Sequence, residues 1–165
     1  MRRKEQEITD KKVIEEILSK SEICRIGMID EGVPYIVPLN YGYFDNAIYI
    51  HSASDGKKID ILKANNKVCF EIEYATEVIK KDLSCDWAMK YRSLIGYGTI
   101  EIITDFEQKK RGLDIIMAQH GKTDNNGYME KQVEKIVILK LTIDRVTGKQ
   151  SKNWKKVIVQ KGVTL

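Results

Sequence analysis

The stretch Tyr49-Ile50-His51-Ser52-Ala53-Ser54-Asp55-Gly56-Lys57-Lys58 gathers groups suited to binding an anion. An apolar run ends at His51. Two serines, an Asp and a Gly follow, and two lysines then open what reads as a helix. Lysines in a first turn oppose the helix dipole, which favours negative charge there. Their placement therefore asks for an anion. The hydroxyls of Ser52 and Ser54, a backbone left open at Gly56, the free first-turn N–H groups and the charges of Lys57 and Lys58 together suit a phosphate. The plain alternative is an ordinary helix start, capped by Ser54 or Asp55, with two solvated lysines. The pattern G-x-x-x-x-G-K is absent, so this is not a Walker loop.

Three further groups invite chemistry. In Tyr91-Arg92-Ser93, at the start of a strand, Arg92 offers a planar fork to a phosphate; otherwise it is a surface arginine. In Val37-Pro38-Leu39-Asn40-Tyr41, Pro38 cannot donate to a ladder. Either the strand is irregular there and frees its backbone for a planar ring, or it is an edge strand. His51 is the candidate whose charge changes near neutral pH; as a strand-end residue it could equally bond to backbone. Trp87 and Tyr91 either stack on a ring or fill the core. Nothing beside Cys85 would lower a thiol pKa. His120 reads as a helix end beside the Gly121 cap.

The chain of 165 residues, 42% apolar and 32% charged, suits one domain with a sizeable core. No apolar run approaches the roughly 18 residues of a membrane span. No apolar segment follows the basic start, so a cytoplasmic protein is expected. Cys24, Cys69 and Cys85 are odd in number and widely spaced, and are expected to be buried free thiols of a reducing compartment. With only His51 and His120 to join them, no metal site is expected. Of the net charge of +4, the segment from Lys149 onward carries five lysines and no acid, which leaves the rest at −1. Nucleic acid binding through this tail would fall steeply with salt. Most of the tyrosines lack basic neighbours, and no such partner is expected.

These groups need positioning elements, which the periodicity supplies. A helix is expected over 10–19, with Thr9 or Asp10 as cap and Val13, Ile14, Ile17 and Leu18 as its apolar stripe. Period-two strands follow over 23–29, 33–44 and 47–51, separated by turns at 30–32 and 45–46. A helix over 56–65 leads to a strand over 68–74. An irregular stretch then precedes a long strand over 91–104, where Gly96 and Gly98 suit a bend. A helix over 106–119, a loop over 120–128 and a sixth strand over 136–143 complete the pattern. Six antiparallel strands with short peripheral helices make an α+β domain on a small closed barrel.

The segments VPLNYGY, IYIHSASDGKK, CDWAMKYRSLIGYGTIE and LTIDRVTGK occur in this order. Over residues 2–149 the set resembles the 5-nitroimidazole-resistance proteins, a branch of the FMN-binding split barrels related to pyridoxamine 5′-phosphate oxidase. The resemblance implies a six-stranded split β-barrel over residues 1–148. Residues 149–165 read as a basic tail; its Trp154 and Val157-Ile158-Val159 run suit docking on the partner's site, and disorder is the alternative. It implies a homodimer with FMN in grooves at the interface. Val37, Pro38, Leu39 and Asn40 would lie beside the isoalloxazine, and His51, Ser52, Lys57 and Lys58 beside the ribityl phosphate. Arg92 and Ser93 would come from a neighbouring strand, and His51 would be catalytic. The implied activity is FMN-dependent reduction of nitroimidazoles or other electron-poor molecules, with NAD(P)H or a reduced protein as donor. Gly96-Tyr97-Gly98 lies inside a strand and is no dinucleotide fingerprint, so a nicotinamide would stack directly on the flavin. A non-catalytic flavin-binding sensor and a haem-binding split barrel remain as alternatives. The scarcity of histidine and the phosphate-suited stretch favour flavin.

Overall fold

The computed structural model describes residues 3–122, 127–152 and 154. The tail's Val157-Ile158-Val159 run, and with it the expected docking of the tail, lies outside them. The elements run in the order β1 (Glu7–Ile8), α1 (Lys11–Lys20), β2 (Ile23–Asp30), β3 (Val33–Asn40), β4 (Gly42–Phe44), β5 (Ala47–Ala53), α2 (Lys57–Ala64), β6 (Lys67–Ile79), β7 (Ala88–Ile103), α3 (Phe106–Gln119), α4 (Glu130–Glu134) and β8 (Ile136–Gln150).

Local chemistry explains the boundaries. Asp10 caps α1 by accepting from the Lys12 N–H at 2.9 Å, and Asp105 caps α3 by accepting from Gln108 N–H at 2.9 Å. The β2–β3 turn has φ 48° at Glu31 and 87° at Gly32. The β4–β5 turn has φ 48° at Asp45 and 57° at Asn46. Two successive positive φ values are the hairpin geometry that matches strand twist. Gly96 is required by packing: a Cβ there would run into the Phe70 ring.

All strands join one antiparallel sheet in the order β3-β2-β6-β7-β8-β5-β4, with β1 on β8. β3 and β4 are separated in sequence only by Tyr41, yet they occupy the two ends of this path. The chain crosses the seam at Tyr41, which is fully buried and donates its hydroxyl to the Leu18 carbonyl at 2.7 Å. The sheet thus curls round a core that includes Ile26, Met28, Ile48, Ile50, Phe70, Ile72 and Leu94, but it does not close. This is a split barrel. α1 lies against β4, β6 and β7, and α3 lies against β4, β5 and β8.

The structure corrects several expectations. Among the described residues there are eight strands rather than six, and the barrel is open rather than closed. The two-residue β1 is too short to show a period. The strand expected over 33–44 breaks at Tyr41, because its two halves pair with different partners, β2 and β5. β3 runs without interruption through Pro38, which lies opposite Arg25; the edge-strand alternative is the one observed. β8 extends to Gln150 because β7 continues to pair with it as far as Arg92. Cys24 is buried, and burial pushes its thiol pKa up. Cys69 and Cys85 are exposed. No described helix is long and apolar enough to cross a membrane.

Candidate functional site

The end of β5 and the start of α2 present an unusual pair of lysines. Gly56 precedes α2 with φ 101°, a conformation that disfavours side chains, and a Cβ there would meet nothing within 4 Å. The backbone is therefore open to an incoming group. Lys57 is committed elsewhere: its ammonium lies 2.8 Å from Asp30 Oδ2 and 4.9 Å from the Tyr35 ring centroid. The Asp30 carboxylate raises the Lys57 pKa. Lys58 differs. It is half-buried, burial lowers its pKa, and no acid offsets that cost among the described residues. A half-buried ammonium without a counter-charge at a helix start fits an anionic ligand.

The contact of Lys57 with Tyr35 also links this end to β3. Val37, Pro38, Leu39 and Asn40 lie two to five residues beyond Tyr35 on the same strand. At the usual strand rise that is about 7 to 17 Å. A ligand with an anion at one end and a flat ring at the other can span the two. Pro38 and Asn40 are exposed, whereas Val37 and Leu39 turn toward the core. Pro34 and Pro38 share strand parity, so their missing N–H groups fall on the same side of this edge strand.

Of the remaining candidates, Arg92 and Ser93 do not reach that point within one protomer. His51 is exposed and Ser52 is buried, on opposite faces of β5 as strand alternation requires. His51 pairs across to Ile138, which pairs with Ile103 on β7. Arg92 and Ser93 lie eleven and ten residues from Ile103, roughly 36 Å of strand for the farther one. Ser93 takes the outer face and Arg92 turns inward. Arg92 is 7% exposed, donates to Gln150 Oε1 at 3.2 Å, lies 3.5 Å from Glu16 and stacks at 4.3 Å on Trp154. Trp87 is half-exposed and donates to the Lys81 carbonyl at 2.8 Å. His120 ends α3 beside Gly121 at φ 87°. Sequence reading missed Asp30 and Tyr35, which hold Lys57; both sit in a distant hairpin, and no local signal links them to it.

The outer faces of β2, β3, β6 and β7 share a groove of about 620 Å³, with Ile29, Ile36, Cys69 and Tyr97 in its walls. Ile36, Gly27, Cys69 and Tyr97 lie in one cross-strand row. Exposed apolar side chains aligned in this way form a surface suited to burial against another protein.

The fold, an open antiparallel barrel with an anion-ready helix start beside an edge strand, is that of a flavin-type split barrel. The family profile for pyridoxamine 5′-phosphate oxidase matches residues 10–150, and the chain belongs to that family. A proposed 5-nitroimidazole antibiotic resistance protein from Bacteroides thetaiotaomicron is 35% identical, covers 87% of this chain and 86% of its own, and superposes with a TM-score of 0.78. A FAD and haem binding protein from Mycobacterium smegmatis is similar in fold at 20% identity and TM-score 0.79, over 92% of this chain and 76% of its own. A flavocytochrome from Azotobacter vinelandii is similar at 19% identity and TM-score 0.75, over 88% and 69%. No curated protein matches the chain.

Proposed function

We propose that this chain is a homodimeric, FMN-dependent oxidoreductase that reduces small electron-poor molecules such as nitroimidazoles. The observation that carries the reading is Lys58, half-buried and, among the described residues, without a counter-charge beside the open backbone of Gly56. Lys58 and the first-turn N–H groups of α2 would hold the phosphate, with Lys57 and Ser52 close by. The edge of β3 from Val37 to Asn40 would lie along the ring. When bound, the flavin supplies the redox chemistry, and the chain supplies binding and orientation. His51, exposed at the end of β5, would hold or deliver a proton at an imidazole nitrogen. The resemblance to the Bacteroides protein supports nitroimidazoles as the substrate class.

The same geometry supports a dimer. Arg92 and Ser93 stand far along β7 from His51 within one protomer, so Ser93 of a second copy would have to serve any shared site. The apolar groove on the outer sheet face is where that copy would sit.

The reading is tested with FMN-loaded protein, NADH and 2-methyl-5-nitroimidazole. Loss of the nitro absorbance that tracks NADH consumption is the expected result, with His51→Gln slowing it while FMN is retained. Retained FMN without turnover by any pyridine nucleotide or dithionite-reduced protein would leave a binding module and overturn the oxidoreductase.

A further inference from the structure

Arg145, on β8, is exposed and lines the outer groove. Arg25 and Arg92 are each ion-paired to glutamates, whereas Arg145 has no ion pair among the described residues. Its guanidinium stacks on the Tyr97 ring, 4.2 Å from the centroid. Stacking fixes the planar group and leaves its edge N–H donors open. The strand register sets where this arginine stands. The row of Ile36, Gly27, Cys69 and Tyr97 ends at Arg145, so it runs from the free edge strand β3 to β8. The neighbouring row starts at Pro38 and ends at Thr147. A two-fold axis parallel to the strands, between β2 and β6, lays β3 of one copy on β7 of the other. Each β8 then falls one strand spacing, about 4.8 Å, outside the other copy's β3 edge. An axis across the strands would set β3 on β3 and leave Ser93 away from any shared site.

We propose that Arg145 of a second copy binds the flavin phosphate held at Gly56 and Lys58, an inference that rests on the dimeric flavin reading above. Ile36, where the row begins, adjoins Tyr35, over whose ring Lys57 lies at 4.9 Å. The row that ends at Arg145 is therefore level with the phosphate, and the row that ends at Thr147 is level with the ring. Charge points the same way. A phosphate monoester carries about −1.5 to −2 charges near neutral pH. Lys57 is tied to Asp30 at 2.8 Å, so Lys58 alone leaves much of that charge unmatched. The open guanidinium edge supplies the second cation and pairs two phosphate oxygens at once.

The test is fluorescence titration of the full chain with FMN and with riboflavin, which lacks only the phosphate. Arg145→Gln weakens FMN about tenfold and leaves riboflavin unchanged, and Arg145→Lys recovers part of the loss. A mixed dimer of Arg145→Gln and Lys58→Met subunits, isolated by two affinity tags, keeps one FMN site of wild-type affinity. In that dimer the intact Lys58 of one copy meets the intact Arg145 of the other. FMN affinity unchanged in Arg145→Gln overturns the proposal and leaves the flavin reading standing. Equal loss of FMN and riboflavin also overturns it, since Arg145 would then serve the dimer and not the phosphate. Two weakened sites in the mixed dimer overturn the contribution from the second copy. A wild-type protein that binds neither flavin overturns the flavin reading and this proposal with it.

Discussion

Replacing Lys58 by Met should loosen FMN and slightly stabilise the empty protein. Met keeps the aliphatic stem and removes the charge. A charge-assisted hydrogen bond contributes about 1.5–3 kcal/mol. Its loss weakens binding by about 10- to 150-fold. Without ligand the sign reverses, because burial disfavours the Lys58 ammonium and no acid repays it among the described residues. The group remains partly wet, so the gain is small, about 0.5 kcal/mol or 1–2 °C in Tm. Its pH dependence has a definite direction. The folded pKa of Lys58 is lowered, so the unfolded chain binds more protons between that value and the ordinary 10.5. Wild-type stability therefore rises through this window, and the advantage of Lys58→Met is full at pH 7 and shrinks as pH approaches 10.5. Fluorescence titration with FMN and thermal melts at both ends of that range measure the two halves. Unchanged FMN affinity would refute the reasoning, as would a lower Tm of the empty variant at pH 7.

Other substitutions probe other parts of the account. Asp30→Asn releases Lys57 from its 2.8 Å partner and should tighten FMN binding by titration, the opposite direction from Lys58→Met. Ile36→Lys places a charge in the outer groove and should convert the proposed dimer to a monomer with weakened FMN retention, read by light scattering. The same variant should gain one thiol that reacts with a disulfide reagent, Cys69, whereas Cys85 reacts in both forms and Cys24 in neither. Gly96→Ala forces a Cβ against Phe70 and should cost about 1–3 kcal/mol, or roughly 2–10 °C in Tm.

How much of this was legible in the sequence depended on how local each determinant is. α3 falls at Phe106–Gln119 as its periodicity predicts, and the hairpin turns at Glu31-Gly32 and Asp45-Asn46 stand where turn residues announce them. The crossing at Tyr41 was not legible, because a continuous period-two run gives no sign that its halves join opposite ends of a sheet. β1 owes its existence to pairing with Lys149 and Gly148, at least 140 residues away. Cys69 was misread as buried because the outer face of this sheet is itself apolar, with Ile29, Ile36 and Tyr97 exposed. Lysines against a helix dipole were readable at 57 and 58. That Asp30 occupies one of them, while the other has no counter-charge among the described residues, is a tertiary fact. Strand alternation at His51-Ser52 and Arg92-Ser93 already implied that neither pair shares a face.

The most direct measurement is the visible spectrum of the protein after incubation with FMN and removal of the excess, with bound flavin counted against protomers. The account predicts the two flavin bands at one FMN per protomer, sharply reduced in Lys58→Met. A colourless protein would contradict it, and so would a Soret band from haem in place of flavin.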